Sequence, residues 1–307
     1  MRIAGIDIGT NSVLLLVVEV RGPALVPLVD RATITRLGRG VDASRNLSPE
    51  GLARTLACLA DYGAEARALG VSALAAVATS AARDAGNGAE LLDAAEGLLG
   101  VRPAIVDGDE EAALTFAGAL SGLALPGARV AVLDVGGGST EIVLGRAPGG
   151  AGPGAVEAAV SLDVGAVRLS ERHVRTDPPA PSELDAVRAE VRAALARAPS
   201  VAGVPLVGVA GTVTTLAAIV GGVVPYDGAR IHGSRLAATE LERLGAELAA
   251  RSLAERRLVP GLEPARADVI VAGALIVGEL VRAAGAAELV VSDRGVRWGL
   301  VERLVRR

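Results

Sequence analysis

Apolar residues along the chain fall into short runs that are separated by turns and alternate with segments of helical periodicity. The first apolar run, residues 3–20, is interrupted by Gly9-Thr10-Asn11-Ser12, which predicts a turn between two paired strands. A third strand is predicted over residues 25–37. Ser48 followed by Pro49 then predicts the start of a helix, because serine caps helices and proline suits their first position.

The strand–turn–strand pattern of the opening recurs near the middle of the chain. Residues 130–134 form a predicted strand that ends in aspartate, residues 136–139 a turn, and residues 141–144 a second strand. The small, Gly-rich stretch 118–126 between the two copies is predicted to cross between domains. A duplicated core of this kind predicts two related α/β domains that face each other across a cleft.

The remaining segments complete the two-domain prediction. The domains are predicted at residues 1–122 and 123–307, with the C-terminal helix, residues 296–307, packing back on the first domain. Further strands are predicted at residues 71–78, 104–106, 206–210 and 289–292, a hairpin loop at 148–154, and helices at 91–99, from 109 onward, 182–198, 239–253 and 265–284.

Composition narrows the possible functions. Hydrophobic residues make up 51% of the chain, but no run of about 18 uncharged apolar residues occurs, so no membrane span is predicted. All 31 basic residues are arginine, which excludes a catalytic lysine, and the formal net charge is −4 with both signs interspersed. Aromatic residues amount to 1%, too few for the stacking platforms of nucleic-acid binders. A single cysteine, Cys58, and the lack of a signal-peptide pattern predict a cytoplasmic protein.

Three turns that combine glycine with hydroxyl residues each follow an apolar strand. They lie at residues 7–12, 134–141 and 210–212. Glycine allows backbone N–H groups to approach a phosphate closely, serine and threonine add donors, and an aspartate at a strand end can bind Mg²⁺. Any one of them alone is as readily an ordinary hairpin turn. Because the first two recur in both halves, they favour a clamp for polyanions.

The sequence resembles a known superfamily at these positions. DIGTNS and DVGGGSTE look like the two phosphate motifs of the actin/sugar-kinase/Hsp70-like fold, and more specifically of the exopolyphosphatase/guanosine-pentaphosphate phosphohydrolase family, in its short two-domain form. The supporting stretches lie in order along the chain at residues 78–87, 106–118, 209–218 and 291–300. The resemblance implies two ribonuclease-H-like (actin-like ATPase) domains.

The resemblance also implies roles for individual residues. Glu111 matches the catalytic base that activates water, and Arg83 the arginine that grips the transferring phosphoryl group. The implied Mg²⁺ ligands are Asp134, Glu141 and Asp7. The implied phosphate-binding residues are Thr10, Asn11, Ser12, Gly136, Gly137, Gly138, Ser139, Gly211 and Thr212. By position alone, Glu110 and Glu111 are equally well read as stabilising carboxylates in the first turn of a helix.

Two residues depart from the family pattern. Asp107 stands where many relatives are expected to have a small hydroxyl residue, and it adds negative charge near the site. Trp298 replaces a more usual acidic residue and is expected to pack against the first domain.

The implied function is Mg²⁺-dependent release of terminal phosphate from inorganic polyphosphate, with short chains preferred. The alternatives are removal of the 5′ γ-phosphate from guanosine pentaphosphate, an ATP-dependent metabolite kinase, and a sensor that binds polyphosphate or nucleotide without turnover. A homodimer is implied by the resemblance only.

Overall fold

The computed structural model describes residues 1–22, 24–149 and 154–306. Residues 150–153, at the centre of the predicted loop 148–154, lie outside the described residues. The chain divides into two compact units, of which the first comprises Met1–Gly118 together with the segment from Val296 onward. The second unit comprises Ala119–Gly295.

Each unit contains one mixed sheet with helices packed on it. The strands are β1 (Arg2–Ile8), β2 (Ser12–Arg21), β3 (Ala24–Ile34), β4 (Ala73–Ala78), β5 (Ala104–Ile105), β6 (Arg129–Val135), β7 (Thr140–Arg146), β8 (Ala155–Leu162), β9 (Leu206–Val209), β10 (Arg235–Ala237) and β11 (Glu288–Val291). The helices are α1 (Val41–Ser44), α2 (Pro49–Ala68), α3 (Ser80–Asp84), α4 (Gly88–Leu99), α5 (Gly108–Leu120), α6 (Ala166–His173), α7 (Pro181–Leu195), α8 (Ala210–Val220), α9 (Gly228–Ile231), α10 (Ala238–Ala250), α11 (Leu253–Arg256), α12 (Ile270–Ala284) and α13 (Val296–Val305), with a 3-10 turn at Pro264–Arg266.

The two sheets share one topology. The first has the strand order β3-β2-β1-β4-β5, and the second has β10-β11-β9-β6-β7-β8. In both, the central strand pairs antiparallel with the hairpin strand on one side and parallel with a later strand on the other. The second sheet adds β10 antiparallel to β11. The predicted α/β class with a duplicated core is therefore confirmed.

Alternation along β1 divides its side chains between two cores. Ala4, Ile6 and Ile8 belong to the core that also includes buried residues of α2 and α4. Ile3, on the opposite face, packs with Trp298 and Val301 of α13. Since successive strand residues face opposite sides, this arrangement buries the sheet on both faces.

Most predicted elements occur, and the differences are elements that the sequence pattern did not reveal. Ser48 caps α2 by accepting a hydrogen bond from the N–H of Gly51 at 3.1 Å, as predicted. The prediction missed β8, β10 and several short helices, among them α3 and α6. It was also wrong about residues 210–212, which form the first turn of α8 and not a loop after β9. None of the described helices combines the length and apolarity needed to cross a membrane.

Candidate active site

The first Gly/hydroxyl turn, residues 9–12, joins β1 to β2 and is named here the first phosphate loop after the role that the resemblance implies. The N–H of Gly9 donates to the carbonyl of Ser12 at 3.0 Å, which closes the hairpin turn. A Cβ on Gly9 would lie 3.0 Å from that same carbonyl oxygen, so glycine suits the position. Asp7 is buried, one residue before the end of β1. The loop therefore sits at the carboxyl end of a central strand.

The carbonyl groups of this loop are held by the segment that follows β3. The N–H groups of Thr35 and Arg36 donate to the carbonyl of Asn11 at 3.0 and 2.9 Å, and that of Gly38 to the carbonyl of Thr10 at 2.8 Å. Among the described residues, no hydrogen bond uses the N–H groups of Thr10 or Asn11. Such N–H groups are suitable donors to a phosphate oxygen.

The structure brings Arg83 and Glu111 together. Nη1 of Arg83 lies 3.0 Å from Oε2 of Glu111 and also donates to the carbonyl of Val106 at 2.9 Å. The Glu111 side chain is only 8% exposed, whereas that of Arg83 is 27% exposed. Arg83 lies in α3 and Glu111 in the first turn of α5, so two separate elements create this ion pair.

Glu110, beside Glu111, has a different partner. Its Oε1 accepts a hydrogen bond at 2.5 Å from Nη1 of Arg303 in α13. Asp107, the unexpected acidic residue, accepts a hydrogen bond from the N–H of Glu110 at 2.8 Å through its Oδ1. It therefore caps the start of α5, which is a role that a hydroxyl residue also performs.

The second phosphate loop, residues 136–139, is closed by the same kind of hydrogen bond as the first. The N–H of Gly136 donates to the carbonyl of Ser139 at 3.1 Å, and a Cβ on Gly136 would lie 3.1 Å from that oxygen. The N–H groups of Ala166 and Val167, at the start of α6, donate to the carbonyls of Gly136 and Gly137, both at 2.9 Å. Within the described ranges, the N–H groups of Gly137 and Gly138 are engaged in no hydrogen bond.

A row of polar side chains crosses three strands of the second sheet. Asp134 of β6 is in register with Glu141 of β7, which is in register with Ser161 of β8. Residues in register share a face of the sheet, with Cβ atoms about 5 Å apart. Oγ of Ser161 donates to Oε1 of Glu141 at 2.7 Å, and both carboxylates are buried. In the first sheet the residue in register with Asp7 is Leu14, so no carboxylate stands opposite Asp7 on β2.

These carboxylates suit a hard cation. No cluster of three or more His, Cys, Asp and Glu side chains fit to hold a metal ion occurs in the part of the chain that the structure describes. Mg²⁺ is commonly held by one or two carboxylates together with water and substrate phosphates. The pair Asp134 and Glu141, or Asp7 alone, fits that type of site.

The third Gly/hydroxyl segment, residues 210–212, forms the first turn of α8. Ala210 has φ of 70°, a left-handed conformation that costs a residue with a Cβ about 1–2 kcal/mol. Gly211 and Thr212 follow, and Asp134 pairs in parallel register with Val209 just before them. A Cβ on Gly211 would overlap the guanidinium of Arg266. Burial lowers the pKa of Arg266. The third element thus adjoins the second within one unit.

Sequence reasoning missed three residues of these sites. Ser80, at the start of α3, shares a hydrogen bond of 2.8 Å between its Oγ and Oγ1 of Thr10, and both hydroxyls are buried. Arg168 donates through Nε to the carbonyl of Gly138 at 2.6 Å. Arg266 covers Gly211. Ser80 could have been found from the sequence, because it is a hydroxyl residue close to Arg83. Arg168 and Arg266 could not, because each is far along the chain from the glycine that it contacts.

The chain is similar to proteins of one known family. Residues 16–307 match the model of the Ppx/GppA phosphatase family. The chain is 40% identical over 320 aligned residues to Exopolyphosphatase 2 of Mycobacterium tuberculosis, covering 97% of each protein. It is 31% identical to Exopolyphosphatase 1 of the same species, covering 99% of this chain and 88% of that one. The crystal structure of the Ppx/GppA family member of Aquifex aeolicus superposes with a TM-score of 0.82 at 31% identity, over 100% of this chain and 98% of the other.

Proposed function

This chain belongs to the Ppx/GppA phosphatase family, and on that basis we propose that it is an Mg²⁺-dependent exopolyphosphatase. It removes terminal orthophosphate from inorganic polyphosphate, with short chains preferred. The names of the two mycobacterial relatives support this substrate. The observation that carries the proposal is the ion pair at 3.0 Å between the partly buried Arg83 and the buried Glu111.

Hydrolysis of a phosphoanhydride depends on positioning and charge neutralisation more than on covalent chemistry. Glu111 orients a water molecule and accepts its proton as the water oxygen bonds to the terminal phosphorus. The bond between that phosphorus and the bridging oxygen breaks, and the electron pair remains on the shortened chain. Arg83 offsets the negative charge on the oxygens of the transferring group.

The phosphate loops hold the substrate for this step. Thr10, Asn11 and Ser12 donate to oxygens of the terminal phosphate through backbone N–H and hydroxyl groups. In the second unit, Gly136–Ser139 and the start of α8 at Gly211 and Thr212 offer equivalent donors. Because the loop carbonyls are already bonded within each unit, the loops are ordered before substrate binds.

Asp134, Glu141 and Asp7 are the proposed Mg²⁺ ligands. When bound, Mg²⁺ supplies positive charge that neutralises phosphate oxygens. Asp134 and Glu141 share one face of the second sheet, and Ser161 restricts the rotation of Glu141 through its hydrogen bond.

Guanosine pentaphosphate is the second candidate substrate, since the sequence motifs resemble those of the exopolyphosphatase/guanosine-pentaphosphate phosphohydrolase family. Its 5′ γ-phosphate is also joined through a terminal phosphoanhydride, so the same residues would hydrolyse it. A metabolite kinase would require an acceptor other than water, and a sensor would not turn over; the named relatives favour hydrolysis over both.

The test is phosphate release from short-chain polyphosphate and from guanosine pentaphosphate in parallel, with Mg²⁺ and with EDTA. Glu111→Gln is expected to lower kcat by about 10²–10⁴-fold, because general base catalysis contributes that much. Glu110→Gln is the matched control, since Glu110 contacts Arg303 instead, and it should keep most of the activity.

The ratio of the rates of phosphate release from polyphosphate and from guanosine pentaphosphate identifies the preferred substrate. Equal loss in Glu110→Gln and Glu111→Gln would contradict the role of Glu111. Release that persists in EDTA would contradict the Mg²⁺ requirement. No release from either substrate by the wild type would refute the proposed hydrolase.

A further inference from the structure

The segment between β3 and α2 carries an excess of positive charge. Residues 35–47, named here the arginine loop, contain Arg36, Arg39 and Arg45 but a single acidic residue, Asp42. Its first part is bonded to the first phosphate loop through the N–H groups of Thr35, Arg36 and Gly38. A Cβ on Gly38 would overlap the Thr10 side chain, so the loop backbone at Gly38 packs directly against that side chain.

The end of the arginine loop is bonded to the segment that follows Arg83. The N–H of Gly86 donates to the carbonyl of Arg45 at 2.8 Å. Asn87 accepts from the N–H of Leu47 at 2.8 Å and donates to its carbonyl at 3.1 Å. The loop therefore runs from the phosphate loop to the neighbourhood of the catalytic arginine, all within the first unit.

Two of the three arginines occupy strained backbone positions. Arg36 and Arg45 both have φ of 55°, and Ala210 is the third such non-glycine residue among the described residues. Elsewhere this chain places glycine at eleven described positions of positive φ. Arg45 ends α1 at the left-handed cap, where glycine or asparagine is favoured. Glycine costs less than a residue with a Cβ at such positions, so the two arginines are unusual there.

The charges of Arg39 and Arg45 are available to a ligand. Both side chains are exposed, and among the described residues no hydrogen bond or ion pair joins either guanidinium to another group. Most other arginines of this lysine-free chain are paired, including Arg83 with Glu111. Guanidinium groups bind phosphate oxygens in bidentate fashion, and exposed ones do so without first breaking an internal pair.

From these observations we infer that the arginine loop binds the phosphate groups that follow the terminal one in a linear polyphosphate. This inference rests on the proposed function, which places the terminal phosphate at Thr10–Ser12 and Arg83. Since the loop adjoins both, a chain leaving that position meets Arg39 and Arg45. The loop would thus act in substrate binding and in chain-length preference.

The test compares Arg39→Ala, Arg45→Gly and the double variant with wild type, on inorganic triphosphate and on long-chain polyphosphate. For the long chain, the double variant is expected to raise KM about tenfold, more than it lowers kcat, and to weaken the salt dependence of kcat/KM. The effect should be smaller with triphosphate, which has fewer following phosphates. Arg197→Ala is the matched control, because Arg197 is also exposed but lies in the second unit.

Arg45→Gly separates a binding role from a structural one. Glycine relieves the left-handed conformation, so the variant should raise Tm by about 2 °C while it raises KM. Dissociation constants for long-chain polyphosphate, measured by calorimetry in the Glu111→Gln background, give a readout that is independent of turnover.

Phosphate binding by the arginine loop and hydrolysis by the wild type are tested by separate results. KM and dissociation constants that match those of Arg197→Ala would overturn the arginine loop as a binding site, even if the wild type hydrolyses polyphosphate. A rise in KM confined to guanosine pentaphosphate would overturn the assignment to linear chains. An inactive wild type concerns the hydrolase proposal, and the calorimetry still decides the binding site.

Discussion

At the scale of single residues, His232 has a charge state that depends strongly on its surroundings. Burial, followed by the charge of Arg294, lowers its pKa from 6.5 to about 4. Nδ1 lies 3.3 Å from Oγ of Ser292. Arg294 itself donates to the carbonyl of Ser121 at 3.0 Å. The folded second unit therefore favours the neutral imidazole.

The expected consequence is a loss of stability in mild acid. Because the unfolded chain binds the proton at a higher pH than the folded one, the free energy of unfolding should fall between pH 6.5 and pH 4. His232→Asn should remove this part of the slope in denaturant titrations at several pH values. Identical slopes in the two proteins would contradict the prediction.

At the scale of elements, the start of α6 supports the second phosphate loop. A Cβ on Gly165, just before α6, would overlap the backbone of Gly137 and Gly138. Its φ is −146°, so the constraint is contact with the loop and not backbone conformation. Three N–H groups of the following turn also donate to that loop.

Gly165→Ala should therefore displace the loop. We expect kcat/KM to fall by about 10²-fold, since a shift of about 1 Å at a positioned site costs that much. The substitution Gly278→Ala is the control, because a Cβ there meets nothing within 4 Å. Steady-state kinetics check the prediction, together with a circular dichroism spectrum to confirm folding. Unchanged kinetics would show that the loop tolerates the displacement.

A buried carboxylate joins α7 to α12. Glu279, 4% exposed, accepts two hydrogen bonds from Arg192, at 2.8 and 2.9 Å, and one from Arg282 at 2.7 Å. Burial alone would raise the pKa of Glu279, but the two arginines hold it below its ordinary value. The contacts of Glu279 with the two arginines therefore stabilise the fold near neutral pH, and this stability is lost as acid protonates the carboxylate.

Replacing Glu279 by Gln is expected to lower the free energy of unfolding by about 1–2 kcal/mol at pH 7, because charge-assisted bonds to a buried carboxylate are lost, while solvent partly screens its exposed arginine partners. Glu242→Gln is the control. Glu242 contacts the same Arg282 at 3.4 Å but is 60% exposed, so its loss should cost less than about 0.5 kcal/mol. Urea denaturation of the two variants measures both values, and equal losses would contradict the prediction.

At the scale of the whole molecule, the first unit is completed by the end of the chain. Trp298 and Val301 of α13 share a core with Ile3, and Nε1 of Trp298 donates to Oδ2 of Asp30 at 3.3 Å. Gly299 is required where α13 meets α5, because a Cβ there would overlap the carbonyl of Leu114. The helix thus serves as an internal part of the first unit.

A chain that ends at Gly295 should lose the first unit selectively. Without α13, the apolar residues of that core are exposed, so hydrogen exchange should become fast in β1 and β2 but stay slow in α12. A chain that ends at Val305 is the control and should behave as the full chain. Mass spectrometry of exchanged peptides measures this, and equal loss of protection in both units would contradict it.

The cytoplasmic location and the homodimer stay predictions.

The sequence by itself determined the order of the principal elements, the duplicated strand–Asp–turn pattern and the family. These properties depend on local patterns: apolar alternation, a capping serine and Gly-containing turns act over a few neighbouring residues. The positions of Gly9 and Gly136 in equivalent turns could be predicted for this reason. The roles of Glu111, Arg83 and the Mg²⁺ ligands came from the resemblance and stay predictions.

Only the tertiary structure decided which distant side chains meet. Arg83 and Glu111 are 28 residues apart, and Thr10 and Ser80 are 70 apart, yet each pair is in hydrogen-bond contact. It also placed Gly211 in a helix beside Arg266 and arginines at strained positions next to the first phosphate loop. Such contacts arise from sheet order and helix packing, which depend on the whole chain and leave no signal at the spacing of neighbouring residues.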